Sequence, residues 1–291
     1  MFKSIAKAAV AATAVLAGAA QAADLKVGGK GFTEQLLIAE ITTQYLEAKG
    51  HSVEKIDGMG TSVVRAALEN GQVDLYWEYT GTSLITFNKV EEKLDREATY
   101  AKVKELDAEK GITWLAPSAA NNTYALAVRE SDDKGLSSLS DLATAYNAGK
   151  KVNLGVNAEF PKRPDGLPGL EKAYGFDIGR RDITPMQGGL IYQALNEGEI
   201  DAGLVFATDG RIAAFGFKVL ADDKGFFPDY ALTPTVRTEV LEANPELSEQ
   251  LNALSTLITD DLMRSLNARV DVEKVTIEDV ATEFLTAQGL I

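Results

Sequence analysis

Residues 67–79 read A-L-E-N-G-Q-V-D-L-Y-W-E-Y, and residues 194–206 read A-L-N-E-G-E-I-D-A-G-L-V-F. The two stretches align without a gap at an offset of 127, matching Ala67 with Ala194, Leu68 with Leu195, Gly71 with Gly198, Asp74 with Asp201 and Tyr79 with Phe206. Each is a helix end, a glycine stop and an apolar strand that finishes on an aromatic residue. A chain that writes this unit twice is expected to fold into two lobes of related design whose strand ends face a common cleft. An aromatic residue from each lobe at that cleft suits a ligand with a cationic or apolar head. Tyr124-Ala-Leu-Ala-Val-Arg129 and Tyr230-Ala-Leu-Thr-Pro-Thr-Val-Arg237 form a second, weaker echo where the chain would cross between lobes.

Outward from these stretches the pattern is strand–helix alternation. Leu25–Gly29 reads as a short strand, and Thr33 as the N-cap of a helix with Leu37, Ile41, Tyr45 and Ala48 at helical spacing and Gly50 at its end. Val53–Ile56 is a further strand. Ser62 is placed to cap a helix with the stripe Val63, Val64, Ala67 and Leu68, matched by Leu190, Ile191, Ala194 and Leu195 in the second copy. Segments 95–110, 138–147, 166–174, 246–266 and 276–288 read as helices. The fold class is therefore α/β, with a mainly parallel sheet in each lobe. Ligands of open α/β sheets bind outside the carboxyl ends of the strands, where Tyr79 and Phe206 stand. Thr80-Gly-Thr82 and Thr208-Asp-Gly210 follow with helix-start chemistry, whose exposed N–H groups favour an anionic ligand group.

Composition narrows the function. Lys3 and Lys7, the small apolar stretch 8–20 and Ala20-Gln21-Ala22 read as a cleaved secretory signal over residues 1–22, too short in its apolar part to span a bilayer. A formal net charge of −14 argues against nucleic acid as a partner. With no cysteine there is neither a disulfide nor a lipid-modified cysteine, and a periplasmic, unanchored protein is the simplest placement. The single histidine, His51, follows Gly50 and reads as a solvated turn residue, which removes most support for a Ser-His-Asp triad or a multi-histidine metal site. No G-x-S-x-G elbow or phosphate-binding G-x-x-x-x-G-K-[ST] loop occurs. No cofactor or metal is called for and an enzyme is not expected, although 43 acidic residues leave a paired-carboxylate hydrolase open.

Lys30-Gly-Phe-Thr-Glu-Gln35, Asp74-Leu-Tyr-Trp-Glu-Tyr-Thr-Gly-Thr82, Arg163-Pro-Asp-Gly-Leu167 and Thr208-Asp-Gly-Arg211 together resemble the substrate-binding proteins of ABC importers for quaternary ammonium compounds such as glycine betaine, choline and carnitine. The resemblance runs from about residue 25 to the C-terminus. It implies a type II periplasmic-binding-protein fold: two α/β lobes that close on ligand about two crossing strands. The implied boundaries are 1–22 for the signal peptide, 23–127 plus 231–291 for lobe I and 128–230 for lobe II. It also implies an aromatic cage of Tyr79, Tyr124, Phe206 and Tyr230, and carboxylate donors at Lys30, Thr82 and Arg163. Relatives commonly carry tyrosine at the place of Phe206, so this chain lacks one hydroxyl there. A quaternary ammonium has no N–H to donate, and ring faces are its natural partners, at about 0.5–2 kcal/mol each. No acidic residue matches the pocket floor in an obvious way, which favours a zwitterion, glycine betaine first, over bare choline. A bulkier betaine, a choline-like ligand and a sensor role stay open. The implied partner is the importer's membrane permease, and a monomer is expected.

Overall fold

The computed structural model describes residues 24–90 and 92–291; the expected signal segment lies outside them. Its strands are β1 (Asp24–Lys30), β2 (Ser52–Met59), β3 (Leu75–Tyr79), β4 (Ile112–Trp114), β5 (Tyr124–Arg129), β6 (Leu154–Val156), β7 (Ile183–Pro185), β8 (Ala202–Phe206), β9 (Phe217–Val219) and β10 (Leu232–Arg237). They form two five-stranded sheets, ordered β2-β1-β3-β10-β4 and β7-β6-β8-β5-β9. In each, three parallel strands are followed by one antiparallel strand, β10 in the first sheet and β5 in the second.

The repeat in the sequence is thus a repeat of topology, and it reaches individual hydrogen bonds. The offset of 127 carries β3 onto β8 and the start of the helix Thr61–Glu69 onto that of Gly188–Glu197. Asp74 accepts from the Lys26 backbone N–H at 2.9 Å, and Asp201 accepts from the Asn153 N–H at 2.8 Å, so the equivalent aspartates tie equivalent strands. Gly71 and Gly198 both stop their helices at φ near +72° and +81°, a region that a side chain makes costly. The helical stripes need one amendment. Val64 and Ile191 are buried, whereas Val63 and Leu190 point outward, 60% and 53% exposed.

Every residue of β3 is buried, as expected of a strand covered on both faces. Trp77 lies in the core and donates its indole N–H to Thr42 Oγ1 at 2.9 Å. The expected lobe boundary at 127/128 is corrected: Tyr124–Val128 pair in register with Phe206–Ala202, so all of β5 belongs to the second sheet. The chain crosses at residues 121–123 and returns near 230–231, where Asn121 bridges Ala231 and the Asn122 N–H donates to the Tyr230 carbonyl. The Y-A-L echo is not an equivalence in register, because Tyr124 pairs with Phe206 whereas Leu232, two residues after Tyr230, pairs with Tyr79.

Four local expectations also change; the helix Thr61–Glu69 has Gly60 as its N-cap, so Ser62 lies inside its first turn and does not cap it. The helix at 33 begins with Phe32 as N-cap, and the Thr33 hydroxyl instead donates to Asp271 at 2.8 Å. Segment 246–266 divides into Glu246–Leu257 and Asp260–Asp271, the second capped by Thr259, which accepts from the Leu262 N–H. His51 is buried, not solvated, because Glu246–Leu257 covers its turn and Gln250 Oε1 lies 3.0 Å from its Nε2. No helix among the described residues is long and apolar enough to cross a membrane.

Candidate functional site

A cavity of about 430 Å³ lies between the two sheets, and Lys30, Tyr79, Thr82, Tyr124, Arg163, Phe206 and Tyr230 all line it. The repeat explains how it is built. Lys30-Gly-Phe32 is matched by Asn157-Ala-Glu159, Gly58–Thr61 by Pro185–Gly188, and Tyr79 by Phe206, all on the cavity wall. Strand ends from both lobes therefore converge there, as doubly wound sheets place their ligands.

The rings form a continuous group. Tyr124 lies 5.3 Å from Phe206 and 5.6 Å from Tyr230, the latter edge-on at 79°. Phe32, absent from the expected set, adds a fifth ring. It stacks on Phe206 at 5.2 Å with an interplanar angle of 4°, and lies 6.3 Å from Tyr79. Its signal was the quoted Lys30–Gln35 motif read through the repeat. The ends of β3 and β8 are secured by side chains: the Tyr79 N–H donates to Glu78 at 2.7 Å, and the Phe206 N–H to the Tyr192 hydroxyl at 2.9 Å. Phe206 keeps a ring face where a tyrosine would add a hydroxyl.

The cationic residues already have partners. Lys30 Nζ lies 2.5 Å from Glu78 Oε1 and 4.8 Å from the Tyr79 ring centroid. Burial pushes the Lys30 ammonium below its ordinary range, against the opposing pull of Glu78. Arg163 is held bidentately by Asp165 at 2.8 and 2.5 Å, and its Nη2 also reaches Thr82 Oγ1 at 3.3 Å. Burial opposes its charge, yet Tyr124 and Asp165 hold its pKa above the ordinary arginine value. Asp165 also accepts from the Tyr230 hydroxyl at 2.7 Å, so one carboxylate aims both an arginine and a cage ring.

Acidic groups are closer than the sequence suggested. Glu159 lines the cavity, where its Oε1 accepts from the Thr61 N–H of the other lobe at 3.2 Å. Glu34 lies behind the rings and accepts from the Tyr79 hydroxyl at 2.7 Å, from Asn122 Nδ2 at 2.8 Å and from the Thr208 hydroxyl. With Glu78 and Asp165, four carboxylates surround the site, which corrects the expectation of none at its floor. The donors left for a ligand carboxylate are Nη1 of Arg163, the remaining ammonium protons of Lys30 and the Thr82 hydroxyl.

Comparison with known proteins agrees with this arrangement. A family model described as the substrate binding domain of ABC-type glycine betaine transport system matches residues 23–287. The chain is 43% identical over 283 residues to a glycine-betaine-binding protein of Pseudomonas aeruginosa, covering 94% of this chain and 91% of that one. It is 36% identical over 279 residues to the glycine betaine-binding protein YehZ of Escherichia coli, covering 92% of each. A solved structure titled as a glycine betaine/carnitine/choline ABC transporter superposes with a TM-score of 0.73 at 32% identity, over 92% of this chain and 99% of that one. These are transport binding proteins, not enzymes. The chain belongs to the family of substrate-binding domains of ABC-type glycine betaine transport systems.

Proposed function

We propose that this protein captures a quaternary ammonium compound between its lobes and delivers it to the permease of an ABC importer. The observation that carries the reading is the meeting of seven residues, far apart in sequence, around one cavity. Tyr79, Tyr124, Phe206 and Tyr230 supply ring faces for the ammonium group; Lys30, Thr82 and Arg163 supply donors for a carboxylate. Glycine betaine is the first candidate because it presents both groups. Thr82 and Arg163 meet across the cleft, as do Thr61 and Glu159, so a ligand touching both lobes favours the closed form. The protein acts as a monomer on the outer side of the cytoplasmic membrane, where the signal segment would send it.

Isothermal titration of the chain lacking residues 1–22 tests the reading. Glycine betaine is expected to bind at micromolar affinity or better. Tyr79→Ala should weaken it roughly 2- to 30-fold, the equivalent of one ring contact. Arg163→Ala should weaken glycine betaine while affecting choline less, since choline has no carboxylate. Choline binding much more tightly than glycine betaine would overturn the zwitterion preference, and no heat with either would move the ligand to a bulkier or different class.

A second reading is a bulkier betaine. The cavity volume falls within the range of drug-sized ligands and exceeds the need of a molecule as small as glycine betaine. The equivalent Met59 and Met186, whose flexible side chains adapt to varied shapes, also line the cavity. Titration along a series of longer betaines separates the two.

A further inference from the structure

We propose that Glu34 is the countercharge of the cage: acting through Tyr79 and Asn122, it makes the site select a cation over an uncharged group of the same shape. The inference rests on the quaternary ammonium reading above and adds the residue that enforces it.

Glu34 sits in the first turn of the helix Thr33–Ala48 and is 3% exposed. Its partners are three neutral donors: the Tyr79 hydroxyl from β3, Asn122 Nδ2 from the crossing segment and the Thr208 hydroxyl after β8. The other buried carboxylates near the site each hold a cation, Glu78 holding Lys30 and Asp165 holding Arg163. Among the described residues no lysine, arginine or histidine pairs with Glu34. A carboxylate buried without a cation is unfavourable, and burial pushes its pKa up despite the three bonds. A ligand cation delivered one ring away would relieve that cost.

Two features transmit the charge to the cavity. A phenol that donates to a carboxylate gains electron density, which strengthens the negative face of the Tyr79 ring. Asn122 lines the cavity, is 5% exposed, and has its amide N–H₂ held by Glu34. Its carbonyl Oδ1 is buried and has no partner. Buried and unpaired, that oxygen leaves an uncompensated negative dipole end beside the ring cage, which favours a cation there without touching it. Asn267 completes the surroundings by donating to the Thr208 carbonyl at 3.0 Å, which holds that hydroxyl toward Glu34.

The test compares glycine betaine with 3,3-dimethylbutanoate, which keeps the shape and the carboxylate and replaces the positive nitrogen by carbon. Wild-type protein should prefer glycine betaine strongly. Glu34→Gln, which keeps the side-chain shape, should weaken glycine betaine about tenfold or more while leaving the isostere unchanged or tighter. Tyr79→Phe, which keeps the ring and removes the link, should lower the same selectivity by a smaller factor and guards against misfolding of the first variant. Equal weakening of both compounds in both variants would show a structural role only and overturn the inference, as would selectivity unchanged in both. Wild-type protein binding neither compound would remove glycine betaine as the ligand, a separate failure visible before any variant is made.

Discussion

At the scale of single residues, the site is organised by carboxylates that the ligand never needs to touch. Asp165 aims Arg163 and Tyr230, Glu78 neutralises Lys30, and Glu34 holds Tyr79, Asn122 and Thr208. The burial-raised carboxyl of Glu34 makes binding depend on pH. The groups facing it are Tyr79, Asn122, Thr208 and Asn267, and of these only Tyr79 titrates, with its own pKa driven well up by burial and by Glu34. A cation favours the ionised carboxylate, so choline affinity should rise with pH through the titration of Glu34 and lie flat in Glu34→Gln. Stability of the free protein should run the other way. Between the ordinary carboxylate value of 4.5 and the raised folded value, the folded state binds more protons than the unfolded state. Its Glu34 contribution therefore falls as pH rises through that window. Choline titrations and denaturant midpoints from pH 4 to 8 check both signs. Choline affinity independent of pH in the wild type would contradict this account. The cage residues were legible in the sequence because each closes a strand or motif that occurs twice or matches a family pattern. Their carboxylate partners were not: Glu34 and Glu78 gain meaning only when the helix at 33 packs behind β3, a contact across about 45 residues of sequence.

At the scale of elements, the strand-to-helix turns do the placing. Gly81 in the Tyr79–Thr82 turn shows how closely. A Cβ there would lie 2.6 Å from the Asp229 carbonyl oxygen and 3.0 Å from two carbons of the Tyr230 ring. Gly81→Ala should therefore displace Tyr230 from the cage and destabilise the fold by about 1–3 kcal/mol, the usual cost of overpacking. Ligand titration and chemical denaturation read the two effects, and an unchanged affinity would show that Tyr230 is not held by this contact. Most elements were predictable from apolar spacing and glycine stops. The misses have local causes. Thr259, an N-cap inside an apolar helical run, divided one expected helix into two, and a covering helix turned His51 inward. Val63 and Leu190 belong to apolar stripes by spacing, yet both face solvent in the first turn beside the cleft, where no second layer covers them.

At the scale of the whole molecule, one supersecondary unit used twice yields two sheets of identical strand order, each completed by a strand from after a crossing. That exchange explains why the sequence placed the first crossing a few residues late. β5 continues the run Tyr124–Arg129 without punctuation, and only its pairing with β8 shows which lobe owns it. The offset of 127 was legible, and followed to residues 30–32 and 59–61 it would have shown Phe32, Glu159 and both methionines on the cavity wall. Contacts across the cleft between Thr61 and Glu159, Thr82 and Arg163, and Glu34 and Thr208 join the lobes around the site.

The most direct measurement is a crystal structure of the protein grown with glycine betaine, or with whichever quaternary ammonium compound titrates most tightly. The ammonium nitrogen should lie within about 6 Å of the ring centroids of Tyr79, Tyr124, Phe206 and Tyr230. The carboxylate of a betaine should then face Arg163 Nη1, Lys30 and Thr82. Ligand bound instead in the separate concavity behind the crossing segments, beside Ala207, Ile212 and Leu220, would contradict it.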